Sequence, residues 1–321
     1  MTRSHSPPTY PPVDCAIRRF RLTYLPHIGY NDSNGKGVFL VMKLHNKHAS
    51  LFFPTKSGGK LSDTTHLCIA AHQDDIEIMA AGAIIECYGA KDRNFTGVVV
   101  TDGAGSPRTG IYADCSDDDM KKIRANEQEK AAIIGDYNAQ FQLYYPSSDV
   151  KDNNNPNVVD ELAEIVLATT PEVLLMHNFA DKHDTHCAVA ARTLQSLRKI
   201  PLDKRPKAVY SMEVWRSLDW VCDEDKKLFD TSADECLQAA LVGVFHSQIA
   251  GGKRYDLAAM GRKRANATYF ASHATDDYIS AEYGIDITEL VNNERLSPAD
   301  FINRYIDKFK DDVNKRIAMF T

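Results

Sequence analysis

The stretch LCIAAHQDDIEIMA (Leu67–Ala80) reads as a buried strand, a polar turn and the start of a helix. Its first half is a short apolar run, and from its second half onward Ile76–Ala90 carries apolar residues at the spacing of one helix. The turn and its exit hold His72, Asp74, Asp75 and Glu77. Such groups are costly to bury at a strand's carboxyl end unless they bind a metal or do chemistry. A second cluster, His183-Asp184-Thr185-His186, follows another apolar run, Val173–His177. Together the two clusters suggest a mononuclear metal hydrolase.

The alternation continues downstream. Phe95–Thr101 reads as a strand, and Asp102-Gly103-Ala104-Gly105 is a flexible loop at its carboxyl end. Met120–Tyr137 then reads as an amphipathic helix and Phe141–Pro146 as a strand. Val158–Thr170 and His186–Ile200 read as helices, Pro171–Asn178 and Lys207–Trp215 as strands. The repeated units predict an α/β fold: a Rossmann-like, mostly parallel sheet with helices on both faces. Its active site is expected beyond the strands' carboxyl ends, where both histidine clusters fall.

Upstream, Ile17–Leu25 and Gly37–His45 flank a turn containing Asp32, Ser33, Asn34 and Gly35, which predicts an N-terminal β-hairpin appendage. Residues 1–60 are read as an extension carrying that hairpin. Residues 61–321 are read as one α/β domain that includes a C-terminal helical region. In that region Ala233–Ala250 and Pro298–Phe320 read as helices.

With 38 basic and 44 acidic residues among 321, the net charge of -6 argues against broad nucleic-acid binding. Gly252–Arg264 is a local basic patch that equally fits a solvent-facing surface. The seven cysteines form no CxxC pair, which fits free thiols in a reducing compartment. The first fifteen residues lack the apolar core of a secretory signal, and no apolar run reaches membrane-spanning length. A soluble, cytoplasmic protein without a stable membrane span is the resulting expectation. Self-association is left open: the hairpin or the final helix would serve for contact, or equally to cover its own sheet edge.

His72 and Asp75 are spaced i,i+3 across a strand-to-helix turn, close enough to address one ion. His183 and His186 repeat that spacing near another helix start. Three ligands drawn from imidazole and carboxylate, plus water, suit catalytic zinc, and one of the later histidines would complete the set. The competing reading makes these surface-loop histidines and helix-capping aspartates.

Four motifs resemble the LmbE/PIG-L family of zinc-dependent N-deacetylases. They are Ala71-His72-Gln73-Asp74-Asp75, Thr101-Asp102-Gly103, Arg124-Ala125-Asn126-Glu127 and His183-Asp184-Thr185-His186. The resemblance covers roughly residues 64–290. It implies zinc on His72, Asp75 and His186, with Asp74 as general base. His183 would assist the transition state as a charged hydrogen-bond donor or acid. It also implies an N-acetylglucosamine-containing substrate, a sugar or a conjugate, from which acetate is released. The Asp102 loop, Arg124 and the basic segment Gly252–Arg264 are candidates for the pocket wall, with Gln248 and Arg262 beside them, although Arg124 fits a helix salt bridge with Glu127 equally well. This chain departs from the family at Gln73, where proline is usual, and at Thr185, where an aspartate commonly precedes the ligand histidine.

Two alternatives stand beside this reading. One is a zinc amidase acting on a non-sugar amide. The other is a degenerate family member that binds a sugar or protein without hydrolysis, against which the retained Asp74 argues. A dinucleotide-binding enzyme fits less well, because His72-Gln73-Asp74-Asp75 stands where a glycine-rich phosphate cradle would be needed.

Overall fold

In the computed structural model, His66–Ala70 forms β5, a strand buried along its whole length. The structure describes residues 20–21, 28–31, 37–40, 44–54, 60–271, 273–274 and 276–321. Beside β5 lie β6 (Phe95–Thr101) and β8 (Val173–His177), both parallel to it. β7 (Ala139–Tyr145) and β9 (Ala208–Met212) extend the parallel region outward on the two sides.

The edges are antiparallel. β4 (Ser50–Phe52) pairs with β7, and β1 (Phe20–Arg21) pairs with β4. On the other side β11 (Ala281–Asp286) pairs with β9, and β10 (Lys227–Asp230) closes the sheet. The nine-stranded order is β1-β4-β7-β6-β5-β8-β9-β11-β10. A parallel core with antiparallel margins, flanked by helices, is the Rossmann-like α/β sheet expected from the sequence.

Successive side chains of a strand point to opposite faces, and β5 shows the consequence. Leu67 and Ile69 join a core containing α5 (Asn157–Thr169) and α6 (Asp184–Lys199). Cys68 and Ala70 join the opposite core, with α1 (Asp75–Met79), α2 (Ala81–Cys87) and the end of α3 (Asp117–Ile134). Parallel strands buried on both faces therefore read as continuous apolar runs.

Three expectations change. The hairpin joins β2 (Ile28–Asn31) to β3 (Gly37–Leu40), while Phe20–Arg21 pairs with the main sheet. Turn length sets hairpin register, and apolar composition alone did not locate the first arm. The single helix expected over 76–90 is broken at Ala80, where φ is -128°. Glu282 Oε1 accepts from Gly82 N–H at 2.7 Å there, giving α2 a carboxylate at its amino end from 200 residues away. The helix expected over 233–250 stops early: α7 (Glu235–Gly243) is followed by a short turn, α8 (His246–Gln248), and a π-turn at Ile249–Lys253.

α9 (Tyr255–Tyr269) carries the basic patch, and the chain ends in α10 (Thr288–Asn292) and α11 (Pro298–Ala318). No helix among the described residues is long and apolar enough to cross a membrane. The six described cysteines are free.

Candidate metal centre

The polar turn leaving β5 delivers His72, Asp74 and Asp75, and the amino end of α6 delivers His183 and His186. Three donor atoms converge. His72 Nδ1 lies 3.2 Å from Asp75 Oδ2 and 3.2 Å from His186 Nε2. The third edge, His186 Nε2 to Asp75 Oδ2, is 3.3 Å. A tetrahedral zinc site with bonds of about 2.0–2.1 Å has ligand–ligand edges of about 3.3–3.4 Å. The triangle has the size that zinc requires. Asp75 and His186 are buried, whereas the His72 side chain is 23% exposed, so the site is approached from the His72 side.

A second ring of groups orients these donors, as is general for metal-binding histidines. His186 Nδ1 lies 3.2 Å from Asp181 Oδ2. Asp181 also accepts from the backbone N–H groups of His183 (3.0 Å) and Val214 (3.2 Å), which fixes its carboxylate. His177, Asp181 and His186 form another cluster of donor types. His177 Nε2, however, already accepts from Ala71 N–H at 2.8 Å, which occupies the lone pair a metal would need. Burial lowers the His177 pKa to about 4, consistent with a neutral ring. Burial also opposes charge on His186, but Asp75 and Asp181 outweigh it and raise its pKa to about 10. A metal arriving at His186 therefore has a proton to displace.

Asp74 is buried beside this triangle with its backbone at φ 90°, in the left-handed region. A non-glycine residue there costs on the order of 1–3 kcal/mol and persists only where its surroundings enforce it. Burial raises the Asp74 pKa to about 6, against the opposing pull of Arg124, whose Nη2 lies 3.4 Å away. A carboxyl group titrating near neutrality suits a general base. Arg124 is itself buried and also donates to the Gln73 carbonyl. Its contact with Glu127 is longer, at 4.0 Å.

His183 caps α6, with Nδ1 accepting from Thr185 N–H at 3.3 Å. Burial lowers its pKa, followed by the charges of His186 and His72. Asp184 is exposed and Thr185 has no carboxylate, and the carboxylates that act on His183, opposing the lowering, are Asp75 and Asp181.

A cavity of about 230 Å³ opens over the triangle. Asp102, Arg124 and Gln248 line it, together with His72, Asp74 and His183. Arg262 does not. It pairs with Asp219 at 3.2 Å and borders a separate cavity of about 130 Å³. Its place in the catalytic pocket is thus corrected: α9 carries its side chain past the wall made by Trp215 and Tyr255, which border both cavities.

The sequence reading missed Asp181, Lys151 and Trp215, and it reached Lys253 and Tyr255 only as part of the basic segment Gly252–Arg264. Trp215 follows the carboxyl end of β9, where the strand-end rule would have found it. Lys253 Nζ stands over the rings of Trp215 and Tyr255, at 5.8 and 5.2 Å from their centroids.

The family model PIG-L, described as GlcNAc-PI de-N-acetylase, matches residues 67–197, a span containing all three donors, Asp74 and His183. Over residues 67–197 the chain is similar to the PIG-L family. The PIG-L match and the donor triangle together support zinc-dependent deacetylase chemistry, the hydrolysis of an amide. Solved structures share the fold of the PIG-L domain at low identity. The conserved protein TT1542 from Thermus thermophilus is 20% identical, with a TM-score of 0.55 over 70% of this chain and 94% of that one. The N,N'-diacetylchitobiose deacetylase from Pyrococcus horikoshii is 16% identical, with a TM-score of 0.57 over 78% and 89%. GalB, a 4-carboxy-2-hydroxymuconate hydratase from Pseudomonas putida, is 16% identical, with a TM-score of 0.54 over 70% and 96%. A deacetylase and a hydratase on one architecture show that fold alone does not select the reaction. A comparison with curated protein sequences finds no match.

Proposed function

We propose that this protein removes the acetyl group from an N-acetylglucosamine-containing sugar or conjugate, with His72, Asp75 and His186 holding zinc. The observation that carries the proposal is the donor triangle with a buried carboxylate, Asp74, directly beside it. For the sugar, support comes from the cavity wall. Trp215 and Tyr255 offer apolar ring faces, while Asp102 and Gln248 offer hydrogen-bonding groups suited to hydroxyls.

When bound, zinc supplies Lewis acidity that polarises a water and the acetamide carbonyl. Asp74 takes the proton from the attacking water as its oxygen bonds to the acetamide carbon. Arg124 holds the Asp74 carboxylate in place through this step. His183, on the cavity wall, donates a hydrogen bond to the oxygen on which negative charge develops. The carbon–nitrogen bond then breaks, Asp74 returns the proton to the leaving nitrogen, and acetate and an amine depart. Asp181 keeps the His186 ring oriented throughout.

The test is acetate release by zinc-loaded protein from N-acetylglucosamine and N,N'-diacetylchitobiose, compared with simple N-acetyl amines. Turnover confined to the sugars supports the proposal. Turnover of the simple amides at equal kcat/KM would establish a general amidase. Stoichiometric zinc with no acetate from either group would count against a deacetylase.

A further inference from the structure

We propose that Gln128 is a positioning residue: with Arg124 it clamps the peptide group between Gln73 and Asp74, and so aims the Asp74 carboxylate. The inference rests on Asp74 being the base. Gln128 is fully buried in α3 and is not among the residues lining the cavity, so it has no route to a substrate.

The orientation of the Gln128 amide is settled by its neighbours. Its Nε2 donates to Glu77 Oε1 at 2.8 Å, and Tyr137 O–H donates to the same oxygen at 2.8 Å. Gln128 Oε1 consequently faces the other way and accepts from Asp74 N–H at 3.3 Å. One helical turn earlier, Arg124 donates to the Gln73 carbonyl. A single peptide group is thus held at its oxygen by Arg124 and at its nitrogen by Gln128.

The bond immediately after that nitrogen is the one whose rotation defines φ of Asp74. Fixing the peptide plane from α3 holds Asp74 at φ 90°, a conformation uncommon outside glycine and kept where the surroundings enforce it. With the amide hydrogen bond removed, the peptide group is free to turn and Asp74 to relax toward negative φ. The carboxylate would then swing away from the donor triangle.

The test compares wild type, Gln128→Met, Asp74→Asn and the double variant, using zinc content, a crystal structure and acetate release from N,N'-diacetylchitobiose. Gln128→Met keeps the side-chain length and loses the acceptor. Expected are full zinc occupancy, a negative φ at residue 74 in the crystal, and kcat reduced 10- to 100-fold with KM within twofold. Adding Gln128→Met to Asp74→Asn should cost less than a further twofold, because the residue acted on is already disabled.

A left-handed Asp74 retained in Gln128→Met would overturn the inference whatever the substrate proves to be. So would a loss that accompanies zinc loss or recurs in full on Asp74→Asn. Undiminished turnover by Asp74→Asn alone would instead overturn the assignment of the base.

Discussion

His186 faces two carboxylates through its two ring nitrogens: Nδ1 lies 3.2 Å from Asp181 Oδ2, and Nε2 lies 3.3 Å from Asp75 Oδ2. Asp75 belongs to the donor triangle, and Asp181 stands behind the ring. The arrangement determines which nitrogen carries the proton when a metal takes the other, and it raises the ring's basicity.

Asp181→Asn should therefore weaken zinc binding about 10- to 100-fold. The amide oxygen can still accept from one of the two backbone N–H groups, His183 or Val214, which now donate to different carboxylate oxygens, so the fold is expected to survive with a modest loss of stability. Competition with a chelator of known affinity measures the change. Wild-type affinity in the variant would remove Asp181 from this role.

The raised His186 pKa of about 10 makes zinc binding a proton-release reaction. Below that pH the metal-free ring is protonated, so each unit of rising pH should tighten zinc binding about tenfold between pH 6 and 9. Calorimetry in buffers of different ionisation enthalpy should find about one proton released per ion at pH 7. Binding independent of pH across this range would contradict the arrangement.

Glu161 supplies a stability signal remote from the metal. Burial raises its pKa to about 7 from an ordinary 4.5, against the stabilising hydrogen bond from Tyr145 O–H. Between these values the folded protein holds a proton that the unfolded chain releases. The contribution is complete below pH 4.5 and is lost as pH rises through about 7. Relative to wild type, Glu161→Gln should gain about 3 kcal/mol in unfolding free energy between pH 4.5 and 8. Urea unfolding across that range reads the difference, and a constant offset would argue against it.

Gly103→Ala should destabilise the loop after β6. Its φ is 71°, and an added Cβ would stand 2.6 Å from Gln73 Oε1 and 3.2 Å from Arg124 Cβ. A cost of about 1–3 kcal/mol is expected, with kcat falling as Gln73 is pushed. Denaturation together with acetate release tests both effects. A cost below about 0.5 kcal/mol would show that the loop yields freely.

Much of this architecture was legible because its signals are local. The runs at Phe95–Thr101 and Val173–His177 are mostly apolar and almost wholly buried, as suits strands covered on both faces. The helix read over Met120–Tyr137 is α3, although it starts at Asp117, where Ser116 and Asp119 cap it reciprocally. The break at Ala80 was not legible, because the group at the amino end of α2 is Glu282.

The candidate site divides in the same way. His72 and Asp75, three residues apart across a strand-to-helix turn, were bound to share one side of the sheet's carboxyl edge, and the motif types alone nominated zinc. Which distant groups meet them depended on packing. Strand order sets β8 beside β5, bringing His186 within 3.2 Å of His72 across 114 residues. The same packing sets Gln128 against the Asp74 amide, Trp215 and Lys253 on the cavity wall, and Arg262 outside it. Periodicity and motif spacing act over a few residues and specify elements and donor types. Contacts between elements are selected by how complete layers bury their apolar faces, and only that tertiary packing decided which of the candidate side chains share a site.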